Sequence, residues 1–324
     1  MFRDKEKNYP SITVIGGGTG LSTILRGLKK YPLRLSAIVT VSDDGGSSGR
    51  LSKDLDVLPP GDIRNCLVAL ADEEALMTKL FQYRFNNGDL KGHSFGNIFL
   101  VAMSSILGDF LLGVKEASKV LAIKGQVFPS TLCKVKLKAI FDNGVEIIGE
   151  TAISSYKEGR IKKLSLISSS PIKATPEAVE ALRNSDLIII GPGSLFTSIL
   201  PNLLIDEIKN AIKEARVPKI YICNVMTQPH ETTGFSASDH LSAIVDHLGF
   251  VPVNYVIVNT QLPKEELLEK YRNSGADIVK PDLENFKRFN VKVLAGHFIS
   301  ESDLVRHDAD KLARFILTNF IKEF

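Results

Sequence analysis

Ile12-Thr13-Val14-Ile15-Gly16-Gly17-Gly18-Thr19-Gly20-Leu21-Ser22 is the stretch on which the reading of this chain turns. A strand buried on both faces of a parallel sheet is written as a nearly unbroken run of Val and Ile, and Ile12 to Ile15 is such a run. The glycines that follow permit positive φ and let a ligand approach the backbone closely. Leu21, Ile24, Leu25 and Leu28 then fall at the i, i+3, i+4, i+7 spacing of one helix face. Strand, glycine loop and helix start in succession offer free N–H groups and a positive dipole end to a phosphate. The alternative is a tight turn with no ligand. A dinucleotide fingerprint needs glycine at its first, third and sixth places, and counted from Gly16 the sixth is Leu21, so the match is incomplete. No Lys follows the glycines, which excludes a Walker A loop.

Leu35 to Val41 is a second apolar strand, and it runs into Ser42-Asp43-Asp44-Gly45-Gly46-Ser47-Ser48-Gly49-Arg50. An acid at this strand end receives a ribose hydroxyl in dinucleotide-binding folds. Asp43 and Asp44 beside a flexible, hydroxyl-rich loop with Arg50 suit a magnesium-bound diphosphate equally well, and an exposed turn is the third reading. Pro59-Pro60-Gly61-Asp62 predicts a helix through Ala71 with Asp62 as its N-cap. Arg64 and Asn65 occupy its first turn, where Arg is poorly placed against the dipole unless an anion lies nearby. A further helix is expected over Glu73 to Phe85. Gly92-His93-Ser94-Phe95-Gly96-Asn97 then opens a helix from Ile98 to about Leu107, so apolar that it is expected to be buried, with His93 and Asn97 at its mouth. His93 reads as a ligand donor or as a structural histidine.

Between about 131 and 168 the pattern changes to strict alternation, with Lys134 to Ala139, an Asp142-Asn143-Gly144 turn, Val145 to Ile148, and Ile161 to Ile167. This predicts a half-exposed antiparallel insert in an otherwise parallel protein. Thr175-Pro176-Glu177 restarts the wound pattern with a helix start. Asp186 to Ile190 is a strand ending in Gly191-Pro192-Gly193-Ser194-Leu195, and Lys219 to Cys223 is another, ending in Asn224-Val225-Met226-Thr227-Gln228. Further on lie a helix from Ser238 to Gly249, a strand at Tyr255 to Val258, a helix over Pro263 to Asn273 with Tyr271, and a strand at Val291 to Leu294. The polar stretch Glu301 to His307 holds Arg306, a phosphate clamp or a surface ion-pair partner, and a last helix begins near Asp308. Loops at the carboxyl ends of parallel strands share one sheet edge, so four of these loops converge where strand order reverses. The fold class is therefore α/β, a Rossmann-like doubly wound and mainly parallel sheet with a small antiparallel β insert, read as one domain over 1–324.

With 324 residues, 44% of them apolar, the chain can bury a large core. A net charge of +3 with scattered basic residues gives no case for nucleic acid. Cys66, Cys133 and Cys223 are far apart and fit neither a disulfide framework nor a zinc site. Pro229-His230-Glu231-Thr232-Thr233-Gly234 lacks a second His at helical spacing, so it is not read as a metal motif. The charged N-terminal stretch and the interrupted apolar run Ile98 to Val114 lead to the expectation of a cytoplasmic protein without membrane insertion.

Taken together, GGGTG at 16–20, VSDDGGSSGRL at 41–51, PPGDIRN at 59–65, GHSFGN at 92–97, GPGSLFTSILPNLL at 191–204, NVMTQ at 224–228 and SDHL at 238–241 resemble the YvcK-like proteins. These form the bacterial branch of a superfamily that includes the archaeal 2-phospho-L-lactate transferase, CofD. The resemblance implies a Rossmann-like fold, a gluconeogenesis factor needed for cell shape and envelope growth on gluconeogenic carbon sources, and binding of UDP-N-acetylglucosamine. By motif match, Tyr271 and Arg306 would contact that nucleotide sugar. The family's GRLR is here Gly49-Arg50-Leu51-Ser52, and its NGETDG is here Pro229 to Gly234 with Thr233 in place of the second acid. The expected ligand-binding set is Gly17, Gly18, Thr19, Asp43, Asp44, Arg50, Asp62, Asn65, His93, Asn97, Gly191, Gly193, Ser194, Leu195, Asn224, Thr227, Tyr271 and Arg306. Asp44 and Asp62 would hold magnesium with the diphosphate. Three functions compete: a UDP-sugar-binding regulatory protein acting on a protein partner; a CofD-like transferase moving a phospholactyl or enolpyruvyl-phosphoryl group to a hydroxyl; and a nicotinamide oxidoreductase, which the broken fingerprint disfavours. Homo-oligomerisation is left open.

Overall fold

The computed structural model describes residues 9–72, 75–300 and 304–321. In chain order its strands are β1 (Ser11–Gly16), β2 (Arg34–Val39), β3 (Gln126–Pro129), β4 (Lys136–Phe141), β5 (Glu146–Ile148), β6 (Ile161–Ile167), β7 (Leu187–Ile190), β8 (Lys219–Ile222), β9 (Tyr255–Asn259) and β10 (Lys292–Gly296). Seven of them form a parallel sheet in the order β10-β9-β8-β7-β1-β2-β3, and the remaining three an antiparallel sheet in the order β5-β4-β6. The chain builds outward from β1 through β2 to β3, then returns to lay β7 on the other side of β1. Strand order reverses there, and doubly wound sheets open a crevice at that point.

Side-chain alternation along the strands explains why both faces are covered. Ile12 and Val14 of β1 and Leu187 and Ile189 of β7 join one core, while Ile15, Ile188 and Ile190 join the core on the opposite face. Full burial of such a side chain contributes about 1.5–3 kcal/mol, so a continuous apolar run is held in the sheet interior from both sides. The first core is closed by α1 (Gly18–Leu28), by α3 (Gly61–Leu70) and by the helix Ala309–Phe320. The second includes Leu137, Ala139, Phe141 and Ile153 of the antiparallel insert. That apolar seam anchors the insert. Its Lys138–Glu146 ion pair, at 2.7 Å and partly exposed, adds at most about 1 kcal/mol.

Several elements differ from the sequence expectation. The supposed flexible loop after Asp44 is the helix α2 (Gly46–Leu55). It offers little hydrophobic periodicity because its buried face is made of Ser47, Ser48 and Leu51. Asp62 is not an N-cap: α3 begins at Gly61, Pro60 holds the cap position, and no side chain caps it. Strand β3, four residues ending in Pro129, lies at the sheet edge, where proline is tolerated. The following helices are α4 (Ala75–Gln82), α5 (Phe95–Leu107), α6 (Phe110–Val120) and the short α7 (Glu150–Ser155). Glu73, expected to open a helix, and Glu301, Ser302 and Asp303 lie outside the described residues. No described helix is long and apolar enough to cross a membrane.

Candidate functional site

At the switch point the loops that follow β1 and β7 face each other across a cleft of about 380 Å³. Its lining includes Gly17, Gly18, Thr19, Gly20 and Thr23 on one side, Gly193, Ser194 and Ser198 on the other, and Asn224, Gln228 and Arg306 beyond them. Two glycines of the first loop are required by contact. A Cβ on Gly20 would lie 2.5 Å from the carbonyl oxygen of Pro192, and one on Gly17 would lie 2.6 Å from Asp62 Oδ2 and 2.7 Å from the Thr40 methyl. Gly18 has φ +62°, the left-handed region in which glycine is at ease. Asn202 ties this loop to the far wall, its side-chain amide donating to the carbonyls of Gly16 (3.0 Å) and Ser198 (2.7 Å).

The β7 loop is shaped by side chains. Ser194 Oγ donates to Glu231 Oε2 at 2.7 Å and accepts from the backbone N–H and the hydroxyl of Thr197 at 3.2 and 2.8 Å. It thereby caps the single π-turn Leu195–Ile199, a local widening of the helix that recurs at functional sites. Gly193 N–H donates to Asn224 Oδ1 at 3.3 Å, which joins the β7 and β8 loops. Arg306 stands at the mouth of the cleft. Tyr271 does not line the cleft; its hydroxyl accepts from Val305 N–H at 3.2 Å and so holds the segment that carries Arg306. On α1, Arg26 follows Thr19 and Thr23 along the same face; partial burial, and then repulsion from Arg306, hold its guanidinium below its ordinary pKa.

A wall of carboxylates adjoins the first glycine loop. Burial, with repulsion from Asp43, raises the Asp62 carboxyl to about 6, against hydrogen bonds from the Gly18 backbone and Asn65. Burial and then repulsion from Asp43, Asp62, Glu231 and Asp44 push Glu150 up to about 9. Such a cluster is relieved by a cation. The expected magnesium pair of Asp44 and Asp62 is not assembled in that form. Both Asp44 oxygens are engaged by the insert: Oδ2 accepts from Glu150 N–H (2.9 Å), and Oδ1 from Thr151 N–H (2.8 Å) and Thr151 Oγ (2.7 Å). Asp44 therefore caps α7, and Asp43 is the acid that faces Asp62. Among the described residues no three His, Cys, Asp or Glu side chains converge as a ligand set. The wall thus fits a magnesium ion sharing its coordination with ligand phosphates, as that ion prefers, better than a cage made by protein alone.

The other expected site residues are dispersed. Gly191, with φ +79°, shapes the β7 loop, whereas the Leu195 side chain is fully buried in the core. Thr227 is turned away, its hydroxyl donating to the Asp277 carbonyl and accepting from the Asp277 N–H. His93 and Asn97 lie beneath the site rather than in the cleft. Ser47 Oγ is 3.2 Å from His93 Nδ1 and accepts from the Asn97 amide at 3.2 Å, so this pair docks α2 on α5. Burial and nearby Arg50 keep the His93 imidazole below its ordinary pKa. Arg50 itself is exposed and donates to the Lys91 carbonyl. Asn65 Oδ1 accepts from Arg64, which also donates to Ser94 Oγ; these contacts account for Arg64 in the first turn of α3. Sequence reading missed Glu231, Glu150, Ser198 and Gln228. Glu231 sits in the stretch Pro229 to Gly234 dismissed as a metal motif, and the signal for it is that a lone acid between His230 and Thr232 matches the acid of the family's NGETDG.

Fold and cleft together define a Rossmann-like α/β protein whose paired glycine loops, arginine mouth and acidic wall meet at the topological switch point. The model of the family "2-phospho-L-lactate transferase CofD" matches residues 12–299, and the chain belongs to that family. A relative in Aquifex aeolicus is 50% identical over 95% of each chain. The gluconeogenesis factor of Bacillus subtilis is 46% identical over 97% of this chain and 99% of its own, and that of Halalkalibacterium halodurans 47% identical over 97% and 96%. The crystal structure of a UPF0052 family member from Bacillus halodurans superposes with a TM-score of 0.93 at 47% identity, covering 95% of this chain and 99% of that one.

Proposed function

We propose that the cleft binds a nucleotide diphosphate sugar of the UDP-N-acetylglucosamine type, and that the protein is a cytoplasmic regulator acting through contact with a protein partner. Its output is cell shape and envelope growth on gluconeogenic carbon sources. The observation that carries this reading is the convergence of two glycine loops, Asn224 and Arg306 on one cleft at the switch point. The diphosphate would lie between Gly17–Thr19 and Gly193–Ser194, with Arg306 as its clamp and Asp43, Asp62 or Asn65 reaching ribose, base or a bridging cation. Relatives called gluconeogenesis factors, nearly half identical over almost their whole length, support the link to gluconeogenic growth.

The acidic wall favours a second reading, a magnesium-dependent transferase. Phosphoryl-group chemistry needs positioning and charge neutralisation more than a covalent nucleophile. When bound, magnesium would neutralise the diphosphate; Asp43 and Asp62 would hold it jointly with the ligand phosphates, and the glycine loops would orient those phosphates. One experiment addresses both readings. Calorimetric titration with UDP-N-acetylglucosamine, with and without magnesium, is expected to show saturable binding that Arg306→Ala weakens about tenfold or more, as loss of a charge-assisted contact does. Recovery of the ligand unchanged in the presence of hydroxyl acceptors supports the regulator, and turnover supports the transferase. Absence of saturable binding at millimolar ligand sinks the nucleotide-sugar reading.

A further inference from the structure

The antiparallel insert is hydrogen-bonded to the loop after β2 and is linked through Glu231 to the β7 loop of the cleft, and α7 makes both connections. On one side Asp44, at the end of the β2 segment, caps α7 through Glu150 and Thr151. On the other, the Glu231 carboxylate is bracketed by two hydroxyls from different parts of the chain. Ser154 Oγ of α7 donates to Oε1 at 2.7 Å, and Ser194 Oγ of the β7 loop donates to Oε2 at 2.7 Å. Glu231 is 4% exposed, so this carboxylate has little water to fall back on. Ser194 spends its one proton on Glu231 and its lone pairs on Thr197, so the orientation of Glu231 sets that of the Ser194 hydroxyl and of the π-turn below it.

We infer that Glu231 is a positioning residue which couples the β7 glycine loop to the insert, through the chain Ser194–Glu231–Ser154, so that occupancy of the cleft is read out as order in the insert. The inference rests on the proposed nucleotide-sugar site for its ligand, and it gives that site an output surface. A ligand phosphate seated on the Gly193 N–H side of the cleft orders the β7 loop and with it the Ser194 hydroxyl; Glu231 is held in turn, and Ser154 carries that order into α7. Coupling of this kind is reciprocal, so loosening the insert must also weaken the ligand.

Ser154→Ala tests the chain at its end farthest from the cleft, in a partly exposed six-residue helix. Two readouts are taken on the full chain: affinity for UDP-N-acetylglucosamine by calorimetry, and backbone hydrogen exchange over 192–199 and 146–167 with and without that ligand. In the wild type the ligand is expected to slow exchange over 146–167. In Ser154→Ala the affinity is expected to fall several-fold, exchange over 192–199 to quicken even without ligand, and the ligand's protection of the insert to vanish. Glu231→Gln should largely restore wild-type behaviour. With its amide oxygen toward Ser194 it still accepts that proton, and its NH2 can donate to the free lone pairs of Ser154. Glu231→Ala should reproduce or exceed the Ser154→Ala defect. Wild-type affinity together with wild-type exchange over 192–199 in Ser154→Ala overturns the coupling while leaving the site reading intact. Should the wild type bind no nucleotide sugar, the site reading fails, and the ligand-free exchange over 192–199 decides the coupling alone.

Discussion

The loops after β1 and β7 look alike in sequence, each a glycine cluster with a hydroxyl residue leading into a helix, yet they are built by opposite means. The β1 loop exists because side chains are absent. Gly20 lets the Pro192 carbonyl pass at a distance no Cβ tolerates, and Gly17 makes room for Asp62 and Thr40. The β7 loop exists because side chains are present: Ser194, Thr197, Glu231 and Asn224 fix it through hydrogen bonds to one another and to Gly193. The first loop is therefore rigid by packing. The second is set by a polar network that other parts of the chain can reach.

The contrast can be broken most severely at Gly20. Gly20→Ala places a methyl group against the β7-loop backbone at Pro192 and Gly193, which cannot swing aside, and overpacking of that kind costs about 3 kcal/mol; a fall in the urea midpoint, with loss of ligand binding, would show it. A smaller effect is expected at Ser194. Ser194→Ala removes one of the two donors to the buried Glu231 carboxylate and the acceptor of Thr197, at a cost of about 1–3 kcal/mol. If denaturation shows no loss, the polar network does not shape the β7 loop. The gentlest probe is pH. Asp62 and Glu150 have folded-state values raised to about 6 and about 9, above ordinary values of 3.8 and 4.5. The folded protein thus binds more protons than the unfolded chain in those windows, and their deprotonation lowers stability. Without ligand, stability should fall as pH rises from about 4 to 6 through Asp62 and on towards 9 through Glu150. Asp62→Asn should flatten the lower part of that slope in thermal melts, and an unchanged slope would remove Asp62 from the acidic wall.

Much of the scaffold could be read from local pattern. Ile12 to Ile15, Leu35 to Val41 and Leu187 to Ile190 are apolar runs that only a two-sided sheet accommodates, and the insert's alternation at Ile161 to Ile167 coincides with β6. The helix α2 escaped because serines, not aliphatic residues, make its buried face. Strand β3 escaped because four residues ending in proline carry almost no periodic signal. At the site, glycine loops are visible in sequence since glycine is itself the signal. Asp44 and Asp62 could not be assigned, because an aspartate that caps a helix, one that faces a neighbouring acid and one that holds a cation are written with the same letter.

By itself the sequence determined the doubly wound α/β sheet, the antiparallel insert and the sheet edge at which the glycine loops gather, since each follows from period, run length and glycine placement along the chain. Tertiary structure alone decided how the polar residues are shared out. It turned Asp44 to the insert, left Asp43 with Asp62, put Tyr271 behind Arg306, and brought Glu231 between Ser154 and Ser194, 77 and 37 residues away along the chain. Apolar periodicity is a local property, whereas the partner of a buried carboxylate is chosen by whichever donor the folded chain brings within hydrogen-bonding reach.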